Sequence, residues 1–106
     1  MRLYRDLFPS DSEMVEIGRL FWKRVVTADD FAIGEIESAE LDMHTWQVAS
    51  LYVSLNDEAT KRMGFERPYF GKVFVCLPVD TVKEVGDIVS LNKTFAELIE
   101  LKVCKK

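Results

Sequence analysis

Lys23-Arg24-Val25-Val26-Thr27, Ile33-Gly34-Glu35-Ile36, Trp46-Gln47-Val48-Ala49-Ser50-Leu51-Tyr52-Val53 and Gly86-Asp87-Ile88-Val89-Ser90-Leu91 are short apolar runs separated by polar turns. Runs of this length, rich in β-branched and aromatic residues, read as strands rather than helices. Their spacing predicts a small, strongly bent β-sheet. Val25-Val26 forms the first strand, Ala28-Asp29-Asp30 turns the chain, and a second strand follows Phe31. Ile33 and Ile36 are out of phase, whereas Ala39, Leu41 and Met43 alternate strictly, so a bulge is expected between Gly34 and Ser38, with Gly34 as its permissive residue.

Asp42-Met43-His44-Thr45 makes the next turn. Beyond it, Ala49, Leu51, Val53 and Leu55 share one face and Trp46, Val48 and Tyr52 the other. Asn56 to Gly64 then carries a capping residue, acids in the first turn, bases in the last and a closing glycine, which predicts a short helix docked through Met63. Val73 to Leu77 is a buried strand that stops at Pro78. Asp80 to Gly86 reads as a connector and Asp87 to Leu91 as the last clear strand. Thr94 and Glu97 stand at capping-box spacing ahead of Leu98, Ile99 and Leu101, so the chain ends in a helix or in a helix fading into a strand. Ser10 and Glu13 repeat that spacing near the start, predicting a helix from about Asp11 to Gly18. Residues 1–18 therefore read as an N-terminal extension with a short helix, and 19–106 as one domain.

The 106 residues are 48% hydrophobic and 30% charged, a globular balance, with a net charge of −4. Lys102, Lys105 and Lys106 form the only dense basic cluster, too short to follow a phosphate backbone, so nucleic acid is not an expected partner. The apolar runs fall far short of the ~20 residues that span a bilayer, and Met1 to Arg5 lacks a secretory signal's apolar stretch. A cytoplasmic protein without direct membrane insertion is expected, with Cys76 and Cys104 as free thiols.

Chemistry-bearing residues are sparse. His44 is the only histidine, sits in a turn, and forms no ligand spacing with the cysteines. Glu35, Glu37, Glu40 and Asp42 read as a solvated strand face, because paired catalytic acids need a cleft that desolvates one of them. No serine lies in a nucleophile elbow and no glycine-rich stretch cradles phosphate. No catalytic, cofactor-binding or metal-ligating residue is assigned. Trp22, Trp46, Tyr52 and Phe74 stand out instead, placed opposite Val25, Leu51, Val53, Val73 and Val75. Two apolar sets need two covers. The second is covered by Leu98, Ile99 and Leu101, by the N-terminal segment, or by another chain, in which case those four aromatic residues form a protein interface and a dimer is the expected state.

Arg24-Val25-Val26-Thr27, Ile33-Gly34-Glu35-Ile36, Asp42…Thr45-Trp46-Gln47-Val48, Phe70-Gly71-Lys72 leading to Leu77-Pro78-Val79, and Val85-Gly86-Asp87-Ile88-Val89-Ser90-Leu91-Asn92 occur in an order that resembles the PRC-barrel family, named for the reaction-centre H subunit, and most closely its short stand-alone archaeal members. The likeness spans roughly residues 18–103. It implies a mainly β fold: a small, partly open barrel of about five to six strands with short flanking helices. It also implies a non-enzymatic adaptor in an FtsZ-based cell-division assembly, acting in the cytoplasm or at the division site. Partners would be a paralogous PRC-barrel protein and an FtsZ-anchoring protein such as SepF, bound by a homo- or heterodimer. Another relative is a domain of the ribosome maturation factor, which makes a ribosome- or RNA-maturation role the alternative. Fold likeness alone does not choose between them.

Overall fold

The computed structural model describes residues 16–66, 71–101 and 104–105, with side chains described as far as residue 101. It is a mainly β protein built on one mixed sheet. The strands are β1 (Arg24–Val26), β2 (Ala32–Asp42), β3 (Gln47–Leu55), β4 (Phe74–Pro78), β5 (Val82–Val85), β6 (Ile88–Leu91) and β7 (Cys104–Lys105), with helices α1 (Asp57–Arg62) and α2 (Phe95–Leu101). In space they run β5-β6-β1-β2-β3-β4-β7. Among the described residues no backbone bond joins the two end strands, so the bent sheet is a partly open barrel. The four strands β1 to β4 form an antiparallel meander, and the β5–β6 hairpin returns to lay β6 parallel to β1.

Alternation supplies the core. Val25, Ile33, Ile36, Leu51, Val53, Leu55, Val75, Leu77, Val89 and Leu91 are fully or almost fully buried on the concave face. Helix α2 plugs that face with Phe95 and Leu98 rather than covering the opposite one, while Ile99 and Leu101 remain exposed. Of the three covers the sequence left open for the aromatic face, the one by Leu98, Ile99 and Leu101 is thus corrected. A seven-residue helix turns only one narrow stripe toward the sheet, and Phe95 and Leu98 occupy it.

Three further corrections concern pairing. The connector expected between Asp80 and Gly86 contains β5, whose Val82 and Val85 pack half-buried against the core. A bulge between Glu40 and Leu41 pairs Glu40 with Ser50 and Leu41 with Val48, leaving Ala49 unpaired. That slip turns Val48 toward the core and Ala49 to solvent, the reverse of simple alternation. Finally, Cys76 is disulfide-bonded rather than a free thiol. Cys104, the only other cysteine, stands opposite it in the β4–β7 register. Of the expected N-terminal helix, residues 11–15 lie outside the described residues, and Ile17–Arg19 forms a single 3₁₀ turn.

Local signals elsewhere act as their chemistry demands. Asn56 caps α1 by accepting from the Ala59 N–H at 2.8 Å, and its amide donates to the Ala32 carbonyl at 2.7 Å, so one side chain ties helix to sheet. Gly64, at φ 81°, closes α1 while its N–H reaches Lys61 and that of Phe65 reaches Thr60. At α2 the capping box closes both ways: the Glu97 carboxylate accepts from the Thr94 N–H at 2.8 Å and the Thr94 hydroxyl from the Glu97 N–H at 3.2 Å. Asp29, in the β1–β2 turn, accepts from the Thr27 hydroxyl and from the Phe95 N–H, pinning α2 to the opposite end of the chain. Phe31 from the same turn meets Phe95 edge-on at 4.7 Å, with the Arg62 guanidinium over its ring.

The expected bulge falls between Ile36 and Ser38, but Gly34 is needed for another reason. Gly34 pairs with Val25 on one side and Leu55 on the other, and a Cβ there would stand 1.9 Å from the Ser54 carbonyl oxygen. The neighbour is backbone and cannot rotate away. Gly34→Ala is expected to cost about 3 kcal/mol or more, read as a lower urea midpoint at unchanged slope.

The two carboxyls that frame α2 predict the acid behaviour. The Thr27 hydroxyl, with the Phe95 N–H, holds Asp29 below its ordinary value of 3.8, and the Thr94 N–H holds Glu97 below 4.5. A carboxyl depressed by folding stabilises the fold above its unfolded pKa and loses that contribution as pH falls through the folded one. Denaturation midpoints should therefore fall below about pH 4.5, and the Asp29→Asn/Glu97→Gln variant should be less stable at pH 7 with a flatter acid limb. Parallel acid limbs for both proteins would refute this.

Candidate functional site

Two exposed tryptophans mark the candidate surface, and both have backbone that tryptophan rarely adopts. Trp46 ends the four-residue loop between β2 and β3, and its N–H donates to the Asp42 carbonyl at 2.7 Å. Closing the hairpin this way puts the last loop residue in the left-handed region, at φ 58°, where glycine or asparagine normally stands. The Asp42 carboxylate holds the start of the loop, accepting from the His44 N–H at 2.8 Å. Trp46 is 68% exposed and Met43 beside it 62%, with Leu41 next to them on the strand. The apolar tip has no cover among the described residues.

The hairpin also overhangs the sheet. Strand β1 flanks β2 only as far as Ile36, and β4 flanks β3 only from Ser50 onward. Among the described residues, 41–48 therefore pair only with one another, while 38–40 pair with 50–52 of β3. Glu40 stiffens the projection by accepting from the Tyr52 hydroxyl at 3.1 Å and the Ser50 hydroxyl at 3.3 Å. The Glu40 bond raises the Tyr52 pKa, so the phenol stays protonated as a donor. Residues 37–49 contain Glu37, Glu40 and Asp42 and neither Lys nor Arg. The tip is apolar and its stem is acidic.

Trp22 lies in the turn before β1, 66% exposed, at φ 71°. Its N–H donates to the Ile36 carbonyl at 2.8 Å and the Ile36 N–H donates to Lys23 at 3.1 Å, a pair of bonds that fixes the unusual backbone. With Phe21 and Ile88 it lines a shallow open groove bordered by Arg19, Lys23, Arg24, Glu35 and Asp87. The Lys23 ammonium donates to the Gly86 carbonyl and closes one wall of that groove.

The four aromatic residues singled out in the sequence thus separate. Tyr52 and Phe74 share the convex face of β3 and β4, half-buried, on adjacent rungs of the ladder. Trp22 and Trp46 are turn residues that bond to β2 at Ile36, near its middle, and at Asp42, its end, about 20 Å apart along the strand. Alternation cannot place a turn residue, so the sequence grouped what the fold divides. Met43, Leu41 and Ile88, which complete the two exposed patches, were missed, although Met43 beside the turn acid was a readable signal.

His44 sits exposed in the hairpin loop, Glu40 and Asp42 are exposed along the stem, Glu37 is half-buried, and Glu35 is exposed beside the Trp22 groove. Among the described residues no group of three or more His, Cys, Asp or Glu side chains is placed to hold a metal ion, and no helix is long and apolar enough to cross a membrane. No protein-family model matches the chain, and no curated protein matches it. The likeness to the PRC-barrel family rests on the sequence strings quoted above.

Proposed function

We propose that this chain is a non-enzymatic protein-interaction module whose principal contact is the tip of the β2–β3 hairpin. The observation that carries the reading is Trp46: a large apolar side chain, two-thirds exposed, held in left-handed backbone. That conformation costs about 1–2 kcal/mol relative to glycine, and burial within this chain offsets little of it. An exposed tryptophan on a projecting ribbon gains its burial from another molecule, and tryptophan and methionine are both enriched at the buried centres of protein contacts. The free edges of the overhanging hairpin add backbone groups that a partner strand can pair with.

Resemblance to the stand-alone archaeal PRC-barrel proteins directs the reading further, to an adaptor in an FtsZ-based division assembly that binds a paralogous barrel protein and an anchor such as SepF. The acidic stem argues for protein rather than RNA as the partner, since a phosphate backbone would meet Glu37, Glu40 and Asp42.

Two variants of the full chain test the reading. Trp46→Gly should leave stability unchanged or raise it by up to about 1 kcal/mol, because relief of the left-handed strain outweighs the entropy glycine adds to the unfolded chain. Trp46→Glu should stay folded. Both should lose, by at least about tenfold, the proteins that the immobilised wild type captures from its own cells. If the wild type captures nothing except copies of itself, or both variants capture the same proteins equally well, the adaptor reading is wrong.

A further inference from the structure

We infer that the hairpin tip of one copy docks in the Trp22 groove of a second copy. This deepens the interaction reading by naming one partner and the two surfaces that meet, and it rests on that reading for the role of the tip. The tip is a convex apolar knob, Leu41, Met43 and Trp46, on a stem that carries three carboxylates and no cation. Tip-to-tip pairing would bring Glu37, Glu40 and Asp42 of each copy together, and like charges brought together at an interface oppose association. The tip therefore fits a surface that is concave, apolar and cationic at its border.

The same chain carries a shallow groove of mixed apolar and cationic lining: Phe21, Trp22 and Ile88 lie with Arg19, Lys23 and Arg24, which outnumber Glu35 and Asp87. Arg19 also has an ion pair with Glu16 at 3.8 Å, with both side chains at least three-quarters exposed, a contact weak enough to exchange for a partner's carboxylate. Groove-to-groove pairing would set two concave surfaces against each other and leave both apolar tips uncovered. Tip and groove cannot meet within one copy, because β2 is a continuous strand that holds them about 20 Å apart. The contact is therefore between copies. Repeated head to tail it builds a chain or a ring, and made reciprocally it closes a dimer.

The experiment is sedimentation velocity of the full chain over a wide concentration range, with Trp46→Glu, Trp22→Glu and their equimolar mixture. Wild type should gain mass with concentration and lose it as salt rises, since exposed border charges are screened. Each variant alone should be monomeric, weakened at least about thirtyfold. Their mixture should form a species of two chains, because one variant keeps its tip and the other its groove. Circular dichroism checks that the variants fold, and Trp46→Gly with Trp22→Gly, which relieve the backbone strain, replace any that do not. A wild type that is monomeric at every concentration, a variant that assembles like wild type, or a mixture that stays monomeric overturns the inference. A monomeric wild type that still captures another protein through Trp46 overturns self-docking and leaves the adaptor reading intact.

Discussion

The bend of this sheet depends on one close approach, that of the Gly34 backbone to the Ser54 carbonyl. Gly34 sits on the central strand, bonded to β1 on one side and β3 on the other, so any side chain there would force the two neighbours apart. Because it is bare, the strands can curl until Val25, Ile33, Val53 and Leu55 converge on one concave face. The irregularities around it, between Val25 and Val26 and between Ile36 and Ser38, bend β2 further. Curling leaves an opening that a short helix can fill, and Phe95 and Leu98 of α2 fill it. Asp29 and the Thr94–Glu97 capping box keep that helix in place.

Features set by neighbours in sequence were legible before the fold was seen. Asn56, Gly64, Thr94 and Glu97 act within one turn of themselves, so spacing alone exposed their roles. The mainly β class followed from the short apolar runs for the same reason. What stayed hidden was set across strands. Whether Val48 or Ala49 faces the core depends on a slip opposite Glu40, and whether Cys76 pairs depends on which strand lies beside it. The site was half legible: Trp22 and Trp46 were recognisable as unusual, but their separation follows from lying in turns that meet β2 at Ile36 and at Asp42.

Both tryptophans hold positions that a sequence optimised for stability alone would give to glycine or asparagine. Trp22 is anchored there by its own bond to the Ile36 carbonyl and by the bond from the Ile36 N–H to the neighbouring Lys23 carbonyl, whereas Trp46 has the single loop-closing bond to Asp42. The two sites differ in rigidity as a result. Trp22 projects from a wall braced by the sheet and by the Lys23 contact to Gly86, while Trp46 rides on a ribbon supported by its own cross-strand pairs and by Glu40. A rigid groove and a more compliant knob suit docking, because the ordering cost falls mainly on one of the two surfaces.

Strand β2 also fixes the geometry of any assembly built on these surfaces. It bonds Trp22 at Ile36, near its middle, and carries the Trp46 loop at its Asp42 end, so the spacing between docking points is set by a stretch of strand rather than by a linker. A flexible linker would spread its ends over many distances and dilute the second contact, whereas a stiff ribbon presents both at one separation. The bulge at Ala49 lies within that ribbon and increases its twist, rotating the tip relative to the groove. Removing Ala49 would restore strict alternation, keep Val48 on the core side and change the angle at which the tip is offered. The same local slip that defeated alternation in the sequence therefore sets the direction in which Trp46 points at a partner.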